Sequence, residues 1–300
     1  MKDVDVAPLG LCPPKLVIYD IERMRIVHTH TFPQEVAGFG LFYLNDIVLG
    51  FDEGKARYAY ISDTLAYKLV VFDYLTDSSF SYSHPSMAAS EKYRNLTIGN
   101  ETTTIITGIN GIAMSPDFKY LYYSAVAGVG LHQIKTSVVI SAKGDNNVFA
   151  ANLRTLGEKV SPGDGMAYGS NHNLYYSALG LNAIYKWNVG KDAGEDHEFD
   201  SVHLVSHDLL VTDTRMEWVD TMTIDEDGYL WFTTSRLNKL FSEGGVQHHE
   251  PNFFVWRLHV GDRNYMHFRF GPTLGSRSVV ASVLLIVVGA AVTWCSKHVL

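Results

Sequence analysis

The sequence predicts an all-β chain of the propeller class, and three observations carry that prediction. The chain is rich in Tyr (17), Phe (15) and Gly (25), residues that favour pleated sheet and tight turns over helix. One aromatic stretch recurs four times: YAYISD from Tyr58, YLYYSA from Tyr120, NLYYSA from Asn173 and YLWFTT from Tyr229, at spacings of 53 to 62 residues. The segments flanking each copy recur in register with it. Strands repeating at such a period form radially arranged four-stranded sheets, the blades of a propeller.

The elements follow in chain order. Eight or nine residues before the last three copies stand GIAMSPD, GMAYGSN and TMTIDED, each an apolar strand running into turn-forming residues. The aromatic copy itself is the next strand. Seven residues after its Ser or Thr an aliphatic residue, Leu69, Leu131, Ile184 or Leu240, opens a further strand. At about 57 residues per blade, six blades need about 340 residues. The roughly 270 residues ahead of the tail fall at least one blade short of that number.

Composition narrows the function. A formal net charge of −8, with no run of Lys or Arg, argues against a nucleic-acid partner. Two cysteines, Cys12 and Cys295, make no disulfide framework. Two glycosylation sequons, NLT at Asn95 and NET at Asn100, share one polar stretch, which points to a secretory lumen and a surface loop. From Val279 to Cys295 no residue is charged, so a membrane-spanning helix is expected there, with a lipid-anchor signal cleaved near Gly275-Ser276 as the second choice. The organisation expected is a propeller over 1–270 and a juxtamembrane and membrane tail over 271–300. The opening MKDVDVAPLGLCPP does not read as a signal peptide.

Ordinary catalytic signatures are missing: the sequence holds no G-x-S-x-G elbow, phosphate-binding glycine loop or H-E-x-x-H. HTH at His28 to His30 reads as a solvated strand face, HH at His248 and His249 as loop, and DEDG from Asp225 as a hairpin turn. No metal and no cofactor is expected. A propeller binds small molecules in its central channel, where an aromatic wall carries a few fixed polar groups.

The motifs CPPKLVIYDIERMRIVHTHTFP (12–33), YAYISDTLAYKLVVFDY (58–74), GINGIAMSPDFKYLYYSAVA (108–127), GLNAIYKWN (180–188), LWFTTSRL (230–237) and NFFVWRL (252–258) occur in that order. Together they resemble the Yellow and major royal jelly protein family of arthropods. The resemblance implies a secreted six-bladed propeller. Cys12 matches a family cysteine, but its expected partner ahead of the YAYISD strand is absent.

Some family members bind biogenic amines in the channel. Motif by motif, that site maps to Thr234, Asn252 and Phe254, with Asn182 and Thr64 in the corresponding loops of other repeats. Three functions follow from the resemblance: binding of a small aromatic amine or quinone, isomerase-type conversion of dopachrome in melanin synthesis, or a structural or signalling role at the cell surface. The second requires an acid and a base near the ligand. Asp63, Glu217, Asp220 and His132 are the candidate groups, and the sequence brings no two of them together.

Overall fold

The computed structural model describes residues 13–38, 42–193, 199–240, 245 and 249–267, together with the backbone of 284–288. Cys12, His248, Cys295 and most of the 279–295 run lie outside the described residues.

The first hairpin is β1 (Lys15–Asp20) and β2 (Arg25–Thr31). A four-stranded sheet follows, made of β3 (Leu44–Asp52), β4 (Lys55–Asp63), β5 (Lys68–Asp73) and β6 (Ser78–Ser83), hydrogen-bonded in that order. A separate hairpin, β7 (Asn95–Ile98) and β8 (Glu101–Thr104), leads to the second sheet. That sheet is β9 (Ile109–Met114), β10 (Tyr120–Ala125), β11 (Gly130–Lys135) and β12 (Arg154–Glu158), with helices α1 (Thr136–Ala142) and α2 (Asn146–Asn152) between its last two strands. The third sheet is β13 (Met166–Tyr168), β14 (Asn173–Ala178), β15 (Ala183–Asn188) and β16 (Asp208–Thr212), with the short α3 (Val189–Asp192) after β15. The fourth has three strands, β17 (Trp218–Ile224), β18 (Tyr229–Ser235) and β19 (Phe253–His259), with the single-turn α4 (Leu237–Leu240) between the last two.

These four sheets are propeller blades. All pairings within them are antiparallel, and their first strands lie side by side in the series β3, β9, β13, β17. The four aromatic repeats become β4, β10, β14 and β18, the second strand of each blade. Their period follows from packing. Tyr60, Tyr122, Tyr123, Tyr175 and Tyr176 are fully buried between neighbouring sheets. Radial sheets diverge outward, and large aromatic side chains fill the widening gap, each removing about 150–250 Å² from water.

Two expectations need correction. The strand expected to open at Leu240 is not there: that residue ends α4 and is 57% exposed, and the third strand of the blade starts at Phe253. Arg, Leu and Lys make four of the five residues of RLNKL good helix formers, whereas FFVWRLH carries the aromatic and β-branched residues that pair well with β18.

The second correction concerns the helix expected across 279–295. Leu284–Val288, within that run, is strand β20, antiparallel to β1 from Leu16↔Val288 to Asp20↔Leu284. An open edge of β1 presents unpaired N–H and C=O groups, and a segment rich in Val and Ile satisfies them. Among the described residues no helix is long and apolar enough to cross a membrane.

Candidate functional site

One polar residue per blade lies on the innermost strand or just before it. Asp46, Asn110, Asp164 and Asp220 each stand two residues ahead of a buried apolar side chain: Val48, Ile112, Met166 and Met222. The apolar residue anchors the strand between the sheets, and the adjoining inner strands bring the Asx residues of neighbouring blades together. Asn110 Nδ2 donates to Asp164 Oδ1, and the Trp218 indole N–H donates to Asp164 Oδ2 at 2.6 Å.

The second strands hold this inner ring in place. Ser62 Oγ accepts from the Asp46 amide at 3.0 Å, and Ser177 Oγ accepts from the Asp164 amide at 2.7 Å. Those serines are the hydroxyl residues of the aromatic repeats, so the repeat positions the ring as well as the core. Glycines flanking Asp164 permit the approach. A Cβ on Gly165 would sit 1.5 Å from the Asp220 carbonyl oxygen, and one on Gly163 would sit 2.0 Å from that of Ser177.

Burial dominates the electrostatics. It pushes the Asp164 carboxyl up to about 7, with the Asp220 charge adding to the effect. Asp220 is also raised by burial, and Asp46 is raised well above the carboxylate range by burial and by the Asp164 and Asp220 charges. Lys159, 4% exposed, is pushed down to about 7 by burial, partly opposed by the charge of Asp164. Near neutral pH these four groups therefore hold fewer charges than their count suggests. The Tyr43 phenol, 37% exposed, feels both Asp164 and Asp220 and is raised by burial and their charges.

The β7–β8 hairpin packs across the ends of several blades. Its Leu96 and Ile98 pack with Val126, Leu179 and Trp218 from three different blades. Both sequon asparagines, Asn95 and Asn100, are exposed on this hairpin.

The residues singled out from sequence divide into groups. Thr64 joins the ring: it is buried, and its hydroxyl donates to Asn110 Oδ1 at 3.3 Å. Thr234 and Phe254 are directly opposite each other on β18 and β19, and Thr234 also pairs with Val219, between Trp218 and Asp220. The Thr234 hydroxyl accepts from the Trp256 indole at 2.9 Å, and Phe254 packs against that indole at 5.9 Å. Asn252 lies one residue before β19, its amide donating to the Glu250 carbonyl at 3.1 Å. Asn182 closes the turn after β14 in left-handed backbone (φ 48) and donates to the Thr214 carbonyl at 3.3 Å.

Of the four acid–base candidates, Asp220 reaches the ring. Asp63 is fully buried, with Oδ1 accepting from the Tyr43 and Ala66 amides. Glu217 is tied to Asn238, Arg236 and Lys239. His132 lies under a separate cavity. HTH is not a solvated face, since His28 and His30 both bond Asp77 and pack against Phe72. DEDG is the β17–β18 turn, with Asp225 accepting from the Asp227 and Tyr229 amides. Among the described residues no group of three His, Cys, Asp or Glu side chains is placed to hold a metal ion. Sequence reasoning missed Asp46, Asn110, Asp164, Lys159, Tyr43 and Trp218. The signal was available as Asx-x-apolar, once per repeat: DIV, NGI, DGM and DTM.

The fold and the ring define a β-propeller with a polar, carboxylate-bearing axis. The chain belongs to the major royal jelly protein family, whose family model matches residues 4–266. Among relatives from Apis mellifera it is 23% identical to major royal jelly protein 8 over 189 residues, covering 61% of this chain and 45% of that protein. It is 25% identical to major royal jelly protein 9 over 260 residues, covering 82% and 59%. The chain spans about half the length of these relatives. Of solved structures, a luciferin-regenerating enzyme aligns with a TM-score of 0.39 and 12% identity, over 84% of this chain and 86% of that one. The hydrazine synthase of Kuenenia stuttgartiensis aligns with a TM-score of 0.39 and 12% identity, over 70% and 46%.

Proposed function

We propose that this is a Yellow-like glycoprotein of the secretory pathway or cell surface that binds a small aromatic amine or quinone in its channel, in pigmentation or cuticle melanin biology. The observation that supports the reading is the convergence of acidic residues at the axis: Asp164 and Asp220 lie near enough for their charges to act on both Asp46 and the half-buried Tyr43 phenol. A cationic nitrogen complements the acids, and a ring complements the phenol face. Asn95 and Asn100, exposed on their hairpin, support placement in a lumen where glycans are added.

Calorimetry with dopamine and 4-methylcatechol tests this. Dopamine binds and 4-methylcatechol, which lacks the amine, binds at least tenfold more weakly. Asp220→Asn erases that difference. Phe254→Ala costs roughly 0.5–1.5 kcal/mol of stacking, a roughly two- to thirteen-fold loss. The reading fails if neither compound binds, or if Asp220→Asn leaves the preference for the amine intact.

A second reading, conversion of dopachrome, is favoured by one observation. Burial pushes the Asp164 carboxyl up to about 7 and the Lys159 amine down to about 7, and each feels the other's charge, which suits proton removal and return at neutral pH. Loss of dopachrome absorbance, abolished by Asp164→Asn, is the expected outcome. Without turnover and without binding, the structural or signalling surface role stands.

A further inference from the structure

We propose that the cavity beneath the 3-10 turns Pro85–Met87 and Glu91–Tyr93 is a second ligand site, built for a small neutral hydrogen-bond donor of the phenol class. It is a cleft of about 340 Å³ open to solvent, lies against the β10–β11 turn and the end of β12, and shares no lining residue with the channel ring. That volume falls within the range of small-molecule sites.

Its lining is mixed: Ala88, Ala89, Ala125 and Val129, with the Tyr93 ring, alternate with Ser86, Ser90, His132 and Glu158. Its polar groups present acceptors. His84 Nδ1 accepts from the Ser86 amide at 3.2 Å, so that nitrogen carries no proton, and the Ser86 hydroxyl donates to it at 2.8 Å. The Tyr123 hydroxyl must then donate to Ser86 Oγ, 2.7 Å away. Both hydroxyl protons are spent, and Ser86 Oγ keeps one lone pair for an occupant. The Glu158 carboxylate lies on the lining, which includes no Lys or Arg.

His132 completes the site. Its ring stacks on Tyr123 at 5.2 Å, and Nδ1 faces the Thr155 hydroxyl at 3.2 Å. The Nε2 edge lies beside Gly130, where a Cβ would sit 2.8 Å from it. The glycine thus leaves the nitrogen uncovered. Burial holds His132 down at about 4, so the imidazole is neutral at physiological pH. Acceptors set among apolar side chains call for a donor on an apolar body. Glu158 on the lining disfavours a bare anion. Lys92 Nζ covers one face of the Tyr93 ring at 4.8 Å and Tyr123 one face of His132, so an aromatic occupant packs against the remaining ring surfaces.

The test uses the full chain with phenol, and with anisole as the same ring lacking a donor. Resonances of the His132 imidazole nitrogens and the Trp218 indole N–H are followed during titration. Phenol shifts His132 saturably, leaves Trp218 unmoved, binds about tenfold more tightly than anisole, and does so equally at pH 6 and pH 8. Gly130→Ala, which covers Nε2, weakens phenol about tenfold. Ser86→Ala, which adds no bulk and keeps the proposal testable if Gly130→Ala misfolds, weakens it several-fold. The site is overturned by equal binding of phenol and anisole, by unchanged affinity in both variants, or by shifts at Trp218 in place of His132. Failure of dopamine in the channel leaves this outcome untouched, because the two readouts are separate.

Discussion

Replacing Trp218 by Phe removes one donor from the buried Asp164 carboxyl and leaves an aromatic ring in the apolar gap between the hairpin and the blades. The indole N–H lies 2.6 Å from Asp164 Oδ2, and Asn110 supplies the other oxygen's donor. A hydrogen bond to a charged group contributes about 1.5–3 kcal/mol, and one to a neutral group about 0.5–1.5 kcal/mol. Loss of ring volume costs the same at any pH, so the pH-dependent part isolates the carboxyl. Asp164 is raised to about 7 in the folded chain, so the native state keeps a proton that the unfolded chain releases near pH 4. Its contribution to stability therefore falls as pH rises from about 4 through about 7. Trp218→Phe weakens the charged form further and steepens that fall. The destabilisation at pH 9 exceeds that at pH 5 by about 1 kcal/mol, taken as the difference between the charged and neutral bonds. Urea unfolding followed by far-UV circular dichroism at the two pH values measures it. An equal loss at both would mean that Asp164 does not change its charge within this range, and the electrostatic reading of the ring would collapse.

Other outcomes follow from the same geometry. Gly165→Ala drives a methyl into the Asp220 carbonyl, 1.5 Å from the Cβ position; since inner strands cannot part cheaply, it lowers unfolding stability by about 3 kcal/mol or more, and an unchanged urea midpoint would show that the strands are not in register as described. Lys159→Met removes a buried amine whose folded value is depressed to about 7. Its stability cost is greatest below that pH and fades as pH rises toward the unfolded value, so the variant gains on the wild type at pH 6, on the order of 1 kcal/mol, and loses that advantage by pH 10. Expressed in a secretory host with a leader, the chain migrates with two glycans on Asn95 and Asn100, each lost singly in Asn95→Gln and Asn100→Gln; a band unaffected by either substitution would remove the lumenal placement.

The strands and their order could be read from the sequence because their signals are local. Aromatic and β-branched residues alternate with small ones inside six or seven residues, and the wedge between diverging sheets demands the same bulk at Tyr60, Tyr122 and Tyr175 in each repeat. The turn at Asp225 was legible for the same reason, since its acceptor and donors are four residues apart or fewer. Position 240 was misread because the aliphatic spacing continued there while the chain departed into α4, and the partner that β18 selects is Phe253–His259. The Val- and Leu-rich tail was misread at Leu284–Val288 because apolarity alone does not separate a helix from a strand that completes an open edge. The ring was written in the sequence as one Asx per repeat, yet nothing local gives Asp46, Asn110, Asp164 and Asp220 a common purpose. They become a site only where inner strands from four blades abut at the axis, and their shifted titration comes from the burial and mutual charge that this convergence creates. Propensity acts within a strand; the chemistry of the axis is a property of strands brought together from far apart in the chain.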